Sequence, residues 1–356
     1  MQASKRKLGY IGVDVGTSTL KVAQVERNRQ GWQVAAASIV PRRKEWDAQL
    51  GLSAKAESSR DELHATRSLH QGYRGRRVAA AIPMAVCDLH RLDRDLSREA
   101  NPEAVLRQAF ETATQLPAEG LLCDYWSGPA TESTSEWSQA LALPRDWTEQ
   151  VCEDVASAGW SCDAIDGLPL ALTRAVNMVH AANGRKPVAA LDWGSRCATL
   201  CCIENHQATY VRSLKLPGLN EVLEVLVDSL QVSELEAQSL LEQHGILGRS
   251  DSGANDVSEL IKEVIAEMIS SLEAELKRSF SHFQFLRRAQ APSHLYLMGG
   301  GAMISGLDQH LAKRLELDAR NWRLPNIDNR NLPIDERADC LFATAIALSA
   351  LAWEVS

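Results

Sequence analysis

Tyr10-Ile11-Gly12-Val13-Asp14-Val15-Gly16-Thr17-Ser18-Thr19-Leu20-Lys21 and Val188-Ala189-Ala190-Leu191-Asp192-Trp193-Gly194-Ser195-Arg196-Cys197-Ala198-Thr199-Leu200 are two versions of one pattern. Each opens with an apolar, strand-like run, passes through Asp-x-Gly and a hydroxyl residue, and enters a second strand-like run. The two aspartates lie 178 residues apart in a chain of 356. That spacing points to two related lobes, each offering a turn that can hold a phosphate.

The residue types suit that chemistry. A carboxylate at a strand end, Asp14 or Asp192, can hold Mg²⁺ directly or through water, because Mg²⁺ uses few carboxylates and keeps several waters. Gly16 and Gly194 let backbone N–H groups approach an anion. Thr17, Ser18 and Ser195 add hydroxyl donors. Lys21 either neutralises ligand charge or stands solvated on its strand. Trp193 puts a bulky ring inside the second turn, and strand alternation can aim it into the core. A third element, Gly299-Gly300-Gly301-Ala302, follows the strand-like run Leu295–Met298 and allows close contact with a nucleoside. Asp192 is also the candidate catalytic base. One Asp-x-Gly-Thr alone carries little weight; two in equivalent positions, with the glycine triple, support a nucleotide in a cleft between lobes.

Composition narrows the field. With 45% hydrophobic and 24% charged residues, the chain has ordinary globular proportions. A net charge of −8 and a pI near 5.7, with no long basic stripe, argue against nucleic acid. Arg42-Arg43-Lys44 and the cluster from Arg74 to Arg77 are expected to be solvated loop or surface. Eight cysteines and nine histidines form no metal-type spacing, so reduced and mostly buried thiols are expected. The basic start runs straight into a strand without the features of a signal peptide. The longest apolar run, Leu341 to Trp353, is shorter than the ~20 residues that span a bilayer and reads as a buried helix. There is no G-x-x-x-x-G-K-[ST] and no G-x-G-x-x-G after the first strand, which excludes the P-loop and dinucleotide readings.

Along the chain, residues 1–77 read as the core of a first lobe, with strands at Leu8–Val15, Leu20–Val25 and Gln33–Val40. The stretch Arg42–Ser59 is weakly patterned and precedes a helix near Arg60–His70. Residues 78–163 read as an inserted α+β unit, with a helix capped by Asn101 and opened by Pro102, strands at Leu121–Trp126 and Gln139–Leu143, an exposed tip at Gly128–Glu136, and a helix from Asp146 to near Gly159. Residues 164–219 hold a linking helix, Leu168–Val179, and the second hairpin. Residues 220–290 are mostly helical, with turn residues at Gly248–Asn255 and one long helix over Asp256–Phe285. Residues 291–356 carry the glycine triple, a helix near Leu307–Leu315 and the C-terminal helix.

Asp14-Val15-Gly16-Thr17, Asp192-Trp193-Gly194-Ser195 and Gly299-Gly300-Gly301-Ala302 resemble the phosphate-1, phosphate-2 and adenosine motifs of the actin-like ATPase superfamily. Within it the chain is similar to the PilM family, cytoplasmic actin-like proteins of type IV pilus assembly related to FtsA. Gly16 to Lys21, Leu116-Pro117, Cys123-Asp124-Tyr125 and Ala164 to Ala175 with Asp166 carry that resemblance. It implies an α/β, ribonuclease H-like two-lobe fold with an inserted subdomain, and ATP with Mg²⁺ in the central cleft. It also implies a cytoplasmic scaffold that binds the cytoplasmic tail of a PilN-like inner-membrane protein between the first lobe and the insert. Contact with the pilus motor ATPase and self-association stay open.

The chain departs from the family at Pro217-Gly218, where Gly-Gly is common. It departs again at Ala237-Gln238-Ser239-Leu240-Leu241, where Ala-Glu-x-x-Lys is common and two adenosine-side contacts are expected to be lost. At most a weak ATPase follows. The alternatives are a superfamily kinase with Asp192 as base, an FtsA-like membrane-tethered filament, and a nucleotide-free adaptor of a type II secretion-like system. The tail after Leu341 has no Lys or Arg, which counts against a membrane-binding helix there.

Overall fold

A computed structural model describes residues 7–28, 31–46, 51–69, 72–128, 136–180, 186–246, 256–324 and 338–354. The first lobe starts with β1 (Lys7–Leu8), β2 (Ile11–Val15), β3 (Thr19–Asn28) and β4 (Gly31–Pro41), then α1 (Arg60–Leu69) and β5 (Arg77–Ala81). The chain continues through β6 (Asp88–Leu92), α2 (Pro102–Thr114), β7 (Leu121–Gly128), β8 (Trp137–Pro144), α3 (Arg145–Ser157) and β9 (Ser161–Asp166). Helix α4 (Leu168–Val179) leads to β10 (Val188–Trp193), β11 (Ala198–Glu204) and β12 (Gln207–Leu214). Helices α5 (Leu219–Leu230), α6 (Glu234–Gln243), α7 (Asp256–Val264) and α8 (Ala266–Arg287) follow, then β13 (His294–Met298), α9 (Leu307–Leu315), β14 (Asp318–Asn321) and α10 (Ala343–Ala350).

The two large sheets have one topology. In the first, β4, β3 and β2 are antiparallel neighbours, and β5 and β9 are added parallel beside β2, with β1 extending the β2 side of β3. In the second, β12, β11 and β10 are antiparallel, and β13 and β14 are added parallel. Asp14 and Asp192 occupy equivalent places, each at the end of the strand flanked by the hairpin partner on one side and the first parallel strand on the other. The sequence repeat is therefore a repeat of structure.

Helices α4 and α10 join the lobes. Helix α10 packs on β2, β3 and β5, and on α4, which in turn lies on β10, β11 and β12. The sequence of α10, Ala-Thr-Ala-Ile-Ala-Leu-Ser-Ala, is buried throughout, and its small side chains permit close approach. Gly12 completes the contact, since a Cβ there would lie 2.0 Å from the Ala345 carbonyl oxygen. Ser349 is the polar pin. Its hydroxyl donates to the Tyr10 carbonyl oxygen and accepts from the Val25 N–H at 2.9 Å, satisfying two buried backbone groups.

Several expectations change. The inserted unit was expected to span 78–163, but β5 and β9, at those ends, pair with each other and β5 with β2, so both complete the first sheet. The separate three-stranded sheet runs in the order β6-β8-β7 and carries α2 on one face. The helix predicted over 256–285 is two helices, broken at Ile265, whose φ of −99° and ψ of 10° leave the helical range. Strands β6, β9, β12 and β14 carry no clear apolar alternation in the sequence and are settled by their sheet partners. The exposed tip expected before Glu136 and the turn stretch at 248–255 lie almost entirely outside the described residues. The Asn101 cap holds: its side chain accepts from the Ala104 N–H at 3.1 Å, with Pro102 at the helix start. The cysteines are free thiols, and burial pushes Cys201 up to about 12, where it is inert.

Removing the Ser349 hydroxyl leaves a buried donor and a buried acceptor unpaired. S349A is expected to cost about 1–3 kcal/mol, read as a lower urea midpoint at unchanged slope. A midpoint within error of the parent would contradict the role of this pin.

Candidate functional site: a cleft between two Asp-x-Gly turns

The first turn is held from behind. Its carbonyl oxygens are all engaged: Gly16 accepts from Arg42 Nε at 2.8 Å, Thr17 from the Trp46 N–H at 3.2 Å, and Ser18 from the Arg42 N–H at 2.9 Å. The Arg42 guanidinium is buried, lies 3.8 Å from the Trp46 ring centroid, and meets Ser59 and Glu62. Burial lowers its pKa to about 10, against the pull of Glu62, so it stays charged at neutral pH. With the carbonyls tied back, the backbone N–H groups of Thr17 and Ser18 have no backbone partner among the described residues. They are free to meet an anion. Arg42 was expected in a solvated cluster. It is instead a buried strut of the first turn, while Arg43 and Lys44 stand in solvent.

The second turn is held by the start of α5. Gly194 and Ser195 carbonyl oxygens accept from the Leu219 and Asn220 N–H groups, both at 3.0 Å, and the Gly194 N–H donates to Cys197 at 2.9 Å. Trp193 points into the core, is 2% exposed, and donates its indole N–H to the Pro217 carbonyl at 3.1 Å. The ring therefore takes no space from a ligand. Pro217-Gly218 supplies this acceptor and the start of α5, so the departure there is accommodated locally.

Gly299 has φ +77°, and a Cβ on it would lie 2.5 Å from an Asp192 carboxylate oxygen. It lets the third turn close over the second. Gly300 also faces the cleft. Gly301 does not: it lies against the Trp193 ring, 2.5 Å from where its Cβ would be, and serves packing.

Asp14, Gly16, Thr17, Ser18, Lys21, Asp192, Gly194, Ser195, Gly299 and Gly300 thus line one cavity of about 540 Å³, within the ~300–1,000 Å³ common for small-molecule sites. Lys21 is not solvated; its ammonium sits 3.2 Å from Asp14. Burial, then the charge of Asp14, raises Asp192 from 3.8 to about 6, and Lys21 offsets this only in part. The pair presents negative charge that a cation would relieve. Among the described residues no cluster of three His, Cys, Asp or Glu side chains occurs, so a metal here would draw on these two carboxylates, ligand oxygens and water, as Mg²⁺ does. The far wall holds Gln238 and Glu242, joined at 2.8 Å. The expected Glu and Lys are absent, yet polar groups still face the cavity. Glu45, Arg196 and Asn220 line it too; nothing in their local sequence marks them, because the segments meet only in the fold.

A second cavity, about 470 Å³, lies between the insert and the first lobe. Leu122, Leu141, Leu143, Ile165 and Leu170 form its apolar floor, and Asp124, Glu149 and Asp163 stand with Arg145 around it. Strands β7 and β9, each at the edge of its sheet, flank it.

The folded Asp192 carboxyl keeps its proton to about pH 6, whereas an unfolded one releases it near 3.8. Folding takes up a proton in that window, so stability contributed by the neutral form is lost as pH rises through it. D192N removes that loss. Its thermal midpoint, relative to the parent in metal-free buffer, should climb between pH 4 and pH 7; a flat difference would contradict the assigned shift.

No curated protein sequence matches the chain significantly. Among solved structures, a PilM–PilN type IV pilus biogenesis complex is similar over 97% of this chain and 98% of the matched one, at 20% identity and a TM-score of 0.75. The ethanolamine utilization protein EutJ of Carboxydothermus hydrogenoformans matches over 96% and 90%, at 15% identity and a TM-score of 0.55. An MreB of Spiroplasma citri bound to ADP matches over 97% and 96%, at 12% identity and a TM-score of 0.52. These likenesses establish the actin-like fold. The sequence profile of the family described as type IV pilus assembly protein PilM matches residues 12–321, and the chain belongs to that family.

Proposed function

We infer that this chain is a cytoplasmic actin-like scaffold of a type IV pilus, or related secretion, inner-membrane assembly complex. It holds a nucleotide in the cleft and the cytoplasmic tail of a PilN-like membrane protein in the groove beside the insert. The observation that carries the reading is the coexistence of two built cavities, one ringed by phosphate-type turns and one apolar groove between two sheet edges. A PilM–PilN complex among the similar structures supports the partner, and the ADP-bound MreB supports the nucleotide.

ATP fits the residues present. The free N–H groups of the first turn and the hydroxyls of Thr17, Ser18 and Ser195 would meet phosphates, Asp14 and Asp192 would hold Mg²⁺, and Gly299 and Gly300 would lie under the nucleoside. Bound Mg²⁺ supplies neutralisation of phosphate charge. Where Asp14 alone holds the cation, Asp192 is left as the group that can take a proton from water.

The groove fits an extended apolar peptide, since edge strands offer unpaired backbone groups and the floor offers side-chain pockets. Among the described residues no helix is long and apolar enough to cross a membrane. Helix α10, wholly buried, has no face left for a lipid surface. The PilM–PilN complex among the similar structures is what supports assigning membrane attachment to the partner.

The test is a pull-down with the cytoplasmic tail of a single-span protein encoded next to this chain. The parent should retain it, and L122R should weaken retention by about tenfold with the fold intact, because Leu122 is 38% exposed. No retention by the parent, with and without ATP, would overturn the partner assignment.

A further inference from the structure

Four side-chain contacts cross the mouth of the cleft. Thr17 and Ser195 hydroxyls meet at 2.7 Å, and Asn220 donates to the Ser18 hydroxyl at 3.2 Å. Asn220 also donates to Glu45 at 2.6 Å, and Arg196 donates to the same carboxylate oxygen of Glu45 at 3.0 Å. Thr17, Ser18 and Glu45 belong to the first lobe; Ser195, Arg196 and Asn220 belong to the second. All six line the cavity.

We propose that Arg196 is a ligand for the terminal phosphate of a nucleoside triphosphate, and that Glu45 is the internal anion that holds it when the nucleotide is absent. This rests on the reading of the cleft as a nucleotide site. Three observations carry it. Arg196 sits two residues past Gly194, beside the second Asp-x-Gly turn, in a cavity whose other cations are both engaged, Lys21 by Asp14 and Arg42 by Gly16, Ser59 and Glu62. Its guanidinium is incompletely satisfied, with Nε buried and without a partner among the described residues. The ion pair with Glu45 is cheap to exchange, because its side chains are 19% and 37% exposed and water screens the attraction.

A phosphate carries more negative charge than Glu45 and can present two oxygens to the planar fork of Arg196, where Glu45 engages it through one. Exchange would break the Arg196 contact across the cleft and leave Asn220 as the remaining donor to that oxygen of Glu45. A phosphate would also compete for the hydroxyl proton that now lies between Thr17 and Ser195, drawing the two hydroxyls apart. The clasp thus couples the terminal phosphate to the separation of the two turns. The hydrophobic joint through α4 and α10 holds the lobes together regardless, so the clasp is free to open without unfolding.

The experiment is calorimetric titration of the full chain with ATP and with ADP, in excess Mg²⁺, for the parent, R196Q, R196K and E45Q. R196Q should lose about tenfold to a hundredfold in ATP affinity, with ADP changed by no more than about twofold. R196K, which keeps the charge and loses the fork, should fall between. E45Q should bind ATP roughly threefold to fivefold tighter. An unchanged ratio of ATP to ADP affinity in R196Q, or weaker ATP binding by E45Q, overturns the clasp while leaving the nucleotide site standing. A parent that binds neither nucleotide overturns the site and the clasp together.

Discussion

The packing of α10 against β2 and α4 is the contact on which the rest of the molecule depends. Helix α10 meets the first sheet, α4 meets the second, and the two helices meet each other. The burial is almost wholly apolar, so it is strong and not directional. Direction comes from the few polar groups within it. Ser349 ties α10 to Tyr10 and Val25, and Arg174 of α4, nearly buried, bonds Asp166 at 2.8 Å and Glu354 at 2.7 Å. Because β2 and β10 both end toward the cavity, this joint brings Asp14 and Asp192 to its opposite walls.

The cavity is organised by where backbone groups are satisfied. The Arg42 side chain and the N–H groups of Arg42, Trp46, Leu219 and Asn220 occupy the carbonyl oxygens of both turns. Anion-facing groups are left toward the cavity, with carboxylates at the strand ends and cations beside them. The backbone N–H groups of Thr17 and Ser18 are thereby pre-arranged for an anion, whereas the side-chain donors are held in cross-lobe contacts. Asp166 and Gly167 border the groove, and Leu168, next in the chain, borders the cleft, so the start of α4 forms a wall common to both cavities.

Much of this was legible in the sequence because it is encoded locally. Asp-x-Gly-hydroxyl, strand alternation around it, the Asn101-Pro102 helix start and the apolar run at 341–353 are all short-range signals. The orientation of Trp193 also followed from alternation. What escaped was non-local. Arg42 and Glu45 sit in a polar stretch without periodicity, and their roles exist only once that stretch crosses the first turn and meets α5. Gly301 looked like its two neighbours, and only the Trp193 ring beneath it gives it a different task. The limits of the insert escaped for a related reason: β5 and β9 belong to the first sheet by pairing, which sequence order conceals.

The central claim is that the two Asp-x-Gly turns, half a chain apart, act on one ligand. Amide hydrogen exchange of the full chain with and without ATP and Mg²⁺ addresses it most directly. Protection should rise together at residues 14–21, 192–197 and 299–303, since each lines the same cavity. Protection confined to one turn, or unchanged exchange at both, would contradict a shared nucleotide site.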